Sequence, residues 1–181
     1  MSVEKPATQR VIEKRYRAIS ARLAWMRVIS KIVCVIALCA VVFTCIFGVV
    51  AVDDVAMDPA VKDSDIALFY RLQDTIAAGD VVVYRANDDV YIGRVVACSS
   101  DTVSITPSGE LEINGHVQIN DGGMKTMPAI DGAQYPLTVG LDEYFILGDN
   151  RSSSHDSREW GSISRSDVEG KVFTILRRRN I

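Results

Sequence analysis

From Asp53 onward, apolar residues come in short runs separated by turn-forming clusters, with little helical periodicity, which predicts a mostly-β domain. The predicted strands are Ile66–Arg71, Val81–Arg85, Tyr91–Ala97, Thr102–Thr106, Glu110–Ile113, Val117–Asn120, Glu143–Leu147 and Gly170–Leu176. Ala78-Gly79-Asp80, Asn87-Asp88-Asp89, Ser99-Ser100-Asp101 and Asp121-Gly122-Gly123 separate them. Asn114-Gly115 lies between Leu111/Ile113 and Val117/Ile119, which predicts a two-residue hairpin whose central positions both take positive φ. The apolar runs Val81-Val82-Val83 and Tyr91 to Val96 predict strands buried at the heart of a sheet. Gly93, inside the second run, marks a bulge or the close approach of another group.

Upstream the pattern is different. Ile32 to Val52 is a run of 21 residues without one charged side chain. As a helix it reaches about 31 Å, the thickness of a hydrocarbon core. It is apolar all round, unlike a helix lying on a soluble core. A cleaved signal peptide would have a shorter apolar run and no 31-residue tail before it, although Val49-Val50-Ala51 resembles a weak cleavage site.

Charge gives this anchor a direction. Residues 1–31 carry eight Lys/Arg against Glu4 and Glu13, a net +6 in a chain of net −3, so the remainder carries −9. The positive-inside rule then predicts a single-pass protein of the cell membrane with a cytoplasmic N-terminus. The expected division is a basic cytoplasmic tail (1–31), a transmembrane helix (32–52) and an extracytoplasmic domain (53–181). Arg10 to Lys31 reads either as a basic amphipathic helix on anionic lipid, with Tyr16 and Trp25 at the headgroups, or as a solvated charge run. Arg177-Arg178-Arg179 reads as a solvated tail.

Cys34, Cys39 and Cys45 fall inside the anchor, leaving Cys98 without an intradomain disulfide partner. His116 and His155 sit in no metal-type spacing. The sequence implies no metal, no cofactor and no nucleic-acid partner.

The candidate chemistry lies in Gly148-Asp149-Asn150-Arg151-Ser152-Ser153-Ser154-His155-Asp156-Ser157-Arg158-Glu159-Trp160-Gly161. It follows the apolar run Tyr144–Leu147, opens on a turn signal and has no hydrophobic period. Short polar side chains with locally paired charges predict a loop hydrogen-bonded to itself, holding one face of a site rigid. This run closely resembles the last signature segment of the type I signal peptidases, Gly-Asp-Asn-x-x-x-Ser-x-Asp-Ser-Arg-x-(aromatic)-Gly. The likeness extends over most of the exterior domain, through Ala78–Tyr84, Arg94–Val103 and Glu110–Gly115, although the family's Leu-Pro-Gly after the arginine strand is missing.

The resemblance implies the family's mostly-β, two-lobed coiled-sheet domain on a single N-terminal transmembrane helix. It also locates two substitutions. Where the family has its nucleophile in Ser-Met-x-Pro, this chain has Ala56-Met57-Asp58-Pro59; where the family has its lysine base before an arginine, it has Gly93-Arg94. By position, Ser154 matches the hydroxyl that orients the lysine, and Asp156 and Arg158 match a structural ion pair. Asp149, Asn150, Arg151 and Ser157 belong to the same supporting loop. Asp54 stands where members carry Ser or Gly beside the oxyanion, which a carboxylate would repel.

These residues imply a serine-endopeptidase fold without its dyad. Such groups act as a unit, so losing the second after the first changes little. Lys62, Ser64, Asp58 and Asp54 match no catalytic position, and carboxylates acting on amides normally work as a pair. What remains is a groove that in the family takes its substrate as an added β-strand, and Gly93 is expected to leave extra room there. Loss of both catalytic residues resembles the signal-peptidase-like proteins of Gram-positive pilus loci. It implies a signal-peptide-bearing or pilin precursor as partner, membrane lipid, and sortase machinery. The alternatives are an active signal peptidase cleaving secreted preproteins, and a structural membrane protein with no groove function.

Overall fold

The structure, a computed structural model, describes residues 7–73, 75–118 and 124–177, with side chains from residue 19 onward. The predicted turn at 121–123, the end of the strand predicted at Val117–Asn120, and Arg178 and Arg179 lie outside the described residues. The chain divides into two compact units, residues 1–44 and 45–181.

The first unit is helix α1, Ala7–Cys45. Its segment Ile19–Cys45 is long and apolar enough to cross a membrane. The predicted span 32–52 is therefore corrected at both ends. The helix stops at Cys45, and Phe47–Ala51 forms strand β1 instead. Ile32–Cys45 alone would cover only about 21 Å; the candidate segment begins upstream at Ile19 and holds Arg22, Arg27 and Lys31, whose long stems can carry their charges to an interface. Hydropathy alone does not separate the two elements, because both are apolar. What makes 47–51 a strand is its pairing, Phe47↔Tyr70 to Ala51↔Ile66, and the Phe69 ring lying against Gly48.

The second unit holds the strands β1, β2 (Ile66–Tyr70), β3 (Val81–Ala86), β4 (Asp89–Ala97), β5 (Thr102–Ile105), β6 (Leu111–Ile113), β7 (His116–Val117), β8 (Leu137–Thr138), β9 (Glu143–Leu147), β10 (Ile163–Ser164) and β11 (Val168–Leu176). A one-turn helix, α2 (Ser157–Trp160), interrupts the polar run. Seven strands form one sheet in the order β1-β2-β11-β3-β4-β9-β10, and four form a second, β7-β6-β5-β8. This is the expected mostly-β, two-lobed architecture. Seven of the eight predicted strands are present; the eighth, Val117–Asn120, meets the observed β7 only at Val117, and its last two residues lie outside the described residues. The pattern missed β1, hidden in the apolar run, and the two-residue strands β8 and β10, which are too short to show a period. Asn114 and Gly115 take φ of 52° and 77°, as the predicted hairpin requires.

β3 and β4 lie inside the larger sheet, where alternation sends neighbouring valines to opposite faces. Val83 and Ile92 join Met57, Val61 and Phe69 on one face, while Val82, Tyr84 and Val95 join Ile146 on the other. A third cluster, including Ala97, Val103, Leu111, Phe145 and Leu147, ties β4 and β9 to the smaller sheet. Each fully buried valine or isoleucine contributes about 1.5–3 kcal/mol. This core fixes the end of β9, where the site begins.

Candidate functional site

The polar run departs from β9 at Gly148 and turns back on itself around Asp156. The Asp156 carboxylate accepts from the Gly148 amide (3.1 Å), the Ser154 hydroxyl (2.7 Å) and the Arg158 amide (3.1 Å). The Arg158 guanidinium completes this shell, Nε to Oδ1 at 2.8 Å and Nη2 to Oδ2 at 2.9 Å. Arg158 also donates to the carbonyl of Arg151 (2.7 Å) and to the Ser154 hydroxyl (2.8 Å). Asp156 and Arg158 are 1% and 8% exposed, so the ion pair stands almost entirely out of water. Ser157 is also buried, its hydroxyl accepting from the Ile146 amide at 2.9 Å. The self-bonded loop expected from the sequence is present, with α2 capped by the Asp156 side chain.

Three further residues fasten this loop to its surroundings. Asp149 takes a bidentate pair from Arg94 (2.7 and 2.6 Å), and this bonding holds the guanidinium pKa up against the effect of burial. Asn150 holds the Ala56 segment: its amide donates to the Ala56 carbonyl (2.9 Å) and its side chain to the Val55 carbonyl (3.1 Å). Arg151 is buried, donating to the Gly148 carbonyl (2.9 Å) and to the Thr126 hydroxyl, and burial lowers its pKa. Sequence reasoning missed Thr126 and the Met127 carbonyl, which accepts from Arg158 at 3.2 Å. Their segment carries no period or motif that could have marked it.

Ala56 and Gly93 meet the same junction from two sides. A Cβ on Gly148 would strike the Ala56 carbonyl, and one on Gly93 would lie 3.4 Å from the Leu147 carbonyl. Met57, fully buried, anchors the Ala56 segment in the core just ahead of Pro59. The expected spare room at Gly93 is absent. A Cβ there would lie 2.5 Å from Ile146 Cγ2 and 3.2 Å from Tyr84 Cε1. Both of these side chains are fully buried, so packed hydrocarbon occupies the position that a Cβ on residue 93 would take. The sequence placed Ile146 and Tyr84 on strands but gave no sign that they converge on Gly93. Burial, followed by the charges of Asp156, Tyr91, Asp54 and Glu159, pushes the Tyr84 phenol well above its ordinary pKa. It therefore stays protonated and is no substitute base.

Asp54 does more than repel. Its carboxylate accepts from the Ala56 amide at 3.0 Å. The Ala56 amide is thus already engaged by an anion, whereas a backbone donor that stabilises an oxyanion must be free. The Ser154 hydroxyl donates to Asp156 and accepts from Arg158, with no lysine or histidine among its described partners.

The edge of β4 remains open. Val95 exchanges hydrogen bonds with Gly79 and Asp80 on the β3 side, so alternation directs Gly93 and Tyr91 to β3 as well. Ile92 and Val90 then present their amides and carbonyls to the opposite edge. There the β9 ladder ends at Arg94↔Leu147, and among the described strands none continues it past residues 89–93.

Fold and site together define a β-domain on an N-terminal apolar helix, with a rigid polar loop framing a position that holds neither hydroxyl nor amine. The chain belongs to the signal peptidase, peptidase S26 family, whose model matches residues 25–176. Among its relatives is a protein of Synechocystis sp. named probable signal peptidase I-2, 29% identical over 65% of this chain and 57% of that protein. Signal peptidase I P of Bacillus subtilis subsp. natto is 27% identical over 87% of this chain and 90% of its own length. A Staphylococcus aureus protein named inactive signal peptidase IA is 22% identical over 64% and 71%. The chain spans little more than half of the Synechocystis protein. Family membership and the apolar helix together support a membrane-anchored protein.

Proposed function

We propose that this signal peptidase homologue is non-catalytic, and that it holds an extended segment of an exported precursor along the open edge of β4 without cutting it. The observation that carries this reading is the state of the two family catalytic positions. The Ala56 amide is bonded to Asp54, and the space beside Gly93 is filled by Ile146 and Tyr84. Main-chain pairing needs amides and carbonyls on an unpaired strand edge, and on that edge of β4 no described strand pairs with Val90 or Ile92. The partner is a signal-peptide-bearing or pilin precursor, met at the membrane surface by a domain outside the cell whose N-terminal tail is cytoplasmic. In a pilus-assembly setting the held segment would be passed to sortase machinery.

The test is reconstitution of the full chain in lipid with a preprotein carrying an Ala-x-Ala site. No processed product is expected, from the wild type or from the Ala56→Ser/Gly93→Lys double variant, because that variant leaves Asp54 and Ile146 in place. A photo-crosslinking residue at Val90, which is exposed, should capture an exported precursor in cells. Processing of the preprotein by the wild type would refute the reading and favour an active peptidase. Capture of no precursor would favour a purely structural protein.

A further inference from the structure

We propose that the Tyr91–Trp160 pair beside the open β4 edge, flanked by Asp89 and Glu159, selects extended segments that place a lysine or arginine on it; this rests on the strand-capture reading above. Tyr91 and Trp160 are only partly buried, with ring centroids 4.8 Å apart. Tyr91 stacks at 5.9 Å on the fully buried Tyr84, and Trp160 meets the same ring edge-on at 6.3 Å, so the outer pair is fixed from beneath. Aromatic faces of this kind attract cations through their quadrupole.

The charges nearby have the matching sign. Asp89 and Glu159 are exposed, and together with Asp54 they act electrostatically on the Tyr91 phenol, whose pKa burial and these carboxylates raise. His155 lies beside one of these carboxylates, with Nδ1 2.9 Å from a Glu159 oxygen. Arg158, next in the chain to Glu159, turns inward to Asp156 and does not neutralise it. The remainder of the chain beyond residue 31 carries net −9, which favours approach of a cationic segment over an anionic one.

Geometry links the patch to the edge. Tyr91 is itself a β4 residue, and a strand paired on Val90 and Ile92 sends alternate side chains to the Tyr91 face. One side chain of the captured segment therefore comes over the Tyr91–Trp160 pair while its main chain remains in register. The selected feature is a position-specific cation in an otherwise small-residue strand.

The experiment uses the full chain in detergent micelles and fluorescent nine-residue peptides of alternating Ala and Thr. Lysine is scanned through the central positions, with glutamine at the same place as control. At one register the lysine peptide should bind about tenfold tighter than its glutamine partner, with the ratio shrinking at high salt. Asp89→Asn/Glu159→Gln, which alters only exposed side chains, should bring that ratio close to one, as should Trp160→Leu. Equal binding of lysine and glutamine peptides to the wild type would overturn the inference while leaving strand capture standing. A ratio unchanged in the Asp89→Asn/Glu159→Gln variant would overturn it too. No binding by any peptide would overturn both readings.

Discussion

Around Asp156, polar atoms are met from within the loop: two oxygens receive two amides, one hydroxyl and a guanidinium. Around Gly93, where the resemblance expects an amine, the atoms nearest an added Cβ are a methyl of Ile146, the Tyr84 ring and one carbonyl. The two regions lie on either side of the same β9 terminus, yet the first is polar and satisfied within itself while the second is mostly apolar. The difference reflects what each residue does for the fold. Asp156 and Arg158 are buried together, so neither can leave without stranding the other's charge. A serine and a lysine at a groove mouth make no comparable demand, and apolar packing can take their place.

Removing one member of the buried pair should break this comparison most sharply. Asp156→Ala leaves Arg158 as an uncompensated buried cation and releases the Gly148 amide. A loss of about 3–5 kcal/mol is expected in denaturant unfolding of the full chain. A loss under about 1 kcal/mol would mean that the loop is not held by its ion pair.

A smaller effect tests the other region. Gly93→Ala pushes a methyl against Ile146 and should cost about 1–3 kcal/mol by overpacking. In an Ile146→Ala background the same change should cost close to nothing, because the clashing Cγ2 is gone. A double-mutant cycle reads that coupling directly. Additive costs would show that the space beside Gly93 is not filled as described.

The smallest expected effect lies on an open face of the sheet, away from both regions. Glu169 pairs with Arg85 at 2.6 Å and Arg71 at 2.9 Å. Burial raises its pKa, but the hydrogen bonds and charges of the two arginines outweigh that and leave it lowered. A lowered carboxylate pKa stabilises the fold above the unfolded value and loses that contribution as pH falls through the folded one. Solvent screening of the arginines limits it to about 0.5 kcal/mol. The stability difference between wild type and Glu169→Gln should therefore be present at neutral pH and decline as pH falls below the unfolded carboxylate's value of about 4.3, through the lower folded pKa. A difference independent of pH would assign Glu169 a packing role instead.

Much of this was legible in the chain. Apolar runs and turn signals located seven of the strands, Asn114-Gly115 marked a hairpin, and the polar types in Gly148–Gly161 announced a self-bonded loop. Ala56 and Gly93 could be located by position because each sits in a run whose other residues are distinctive. The strand at Phe47–Ala51 could not be separated from the apolar helix before it, because hydropathy does not record which backbone partner a segment finds. Thr126 and the Met127 carbonyl were equally silent, since a backbone acceptor has no residue type to read.

The sequence by itself determined which groups the chain possesses: an apolar N-terminal segment, a polar loop able to satisfy its own charges, and an alanine and a glycine where the resemblance expects a nucleophile and a base. Only the tertiary structure decided what replaced them. Whether Gly93 opens a space or borders a filled one depends on Ile146 and Tyr84, respectively 53 residues after it and nine before it. Whether the Ala56 amide is free depends on the rotamer of Asp54. Both are questions of which atoms reach the same volume, and local sequence pattern does not encode the answer.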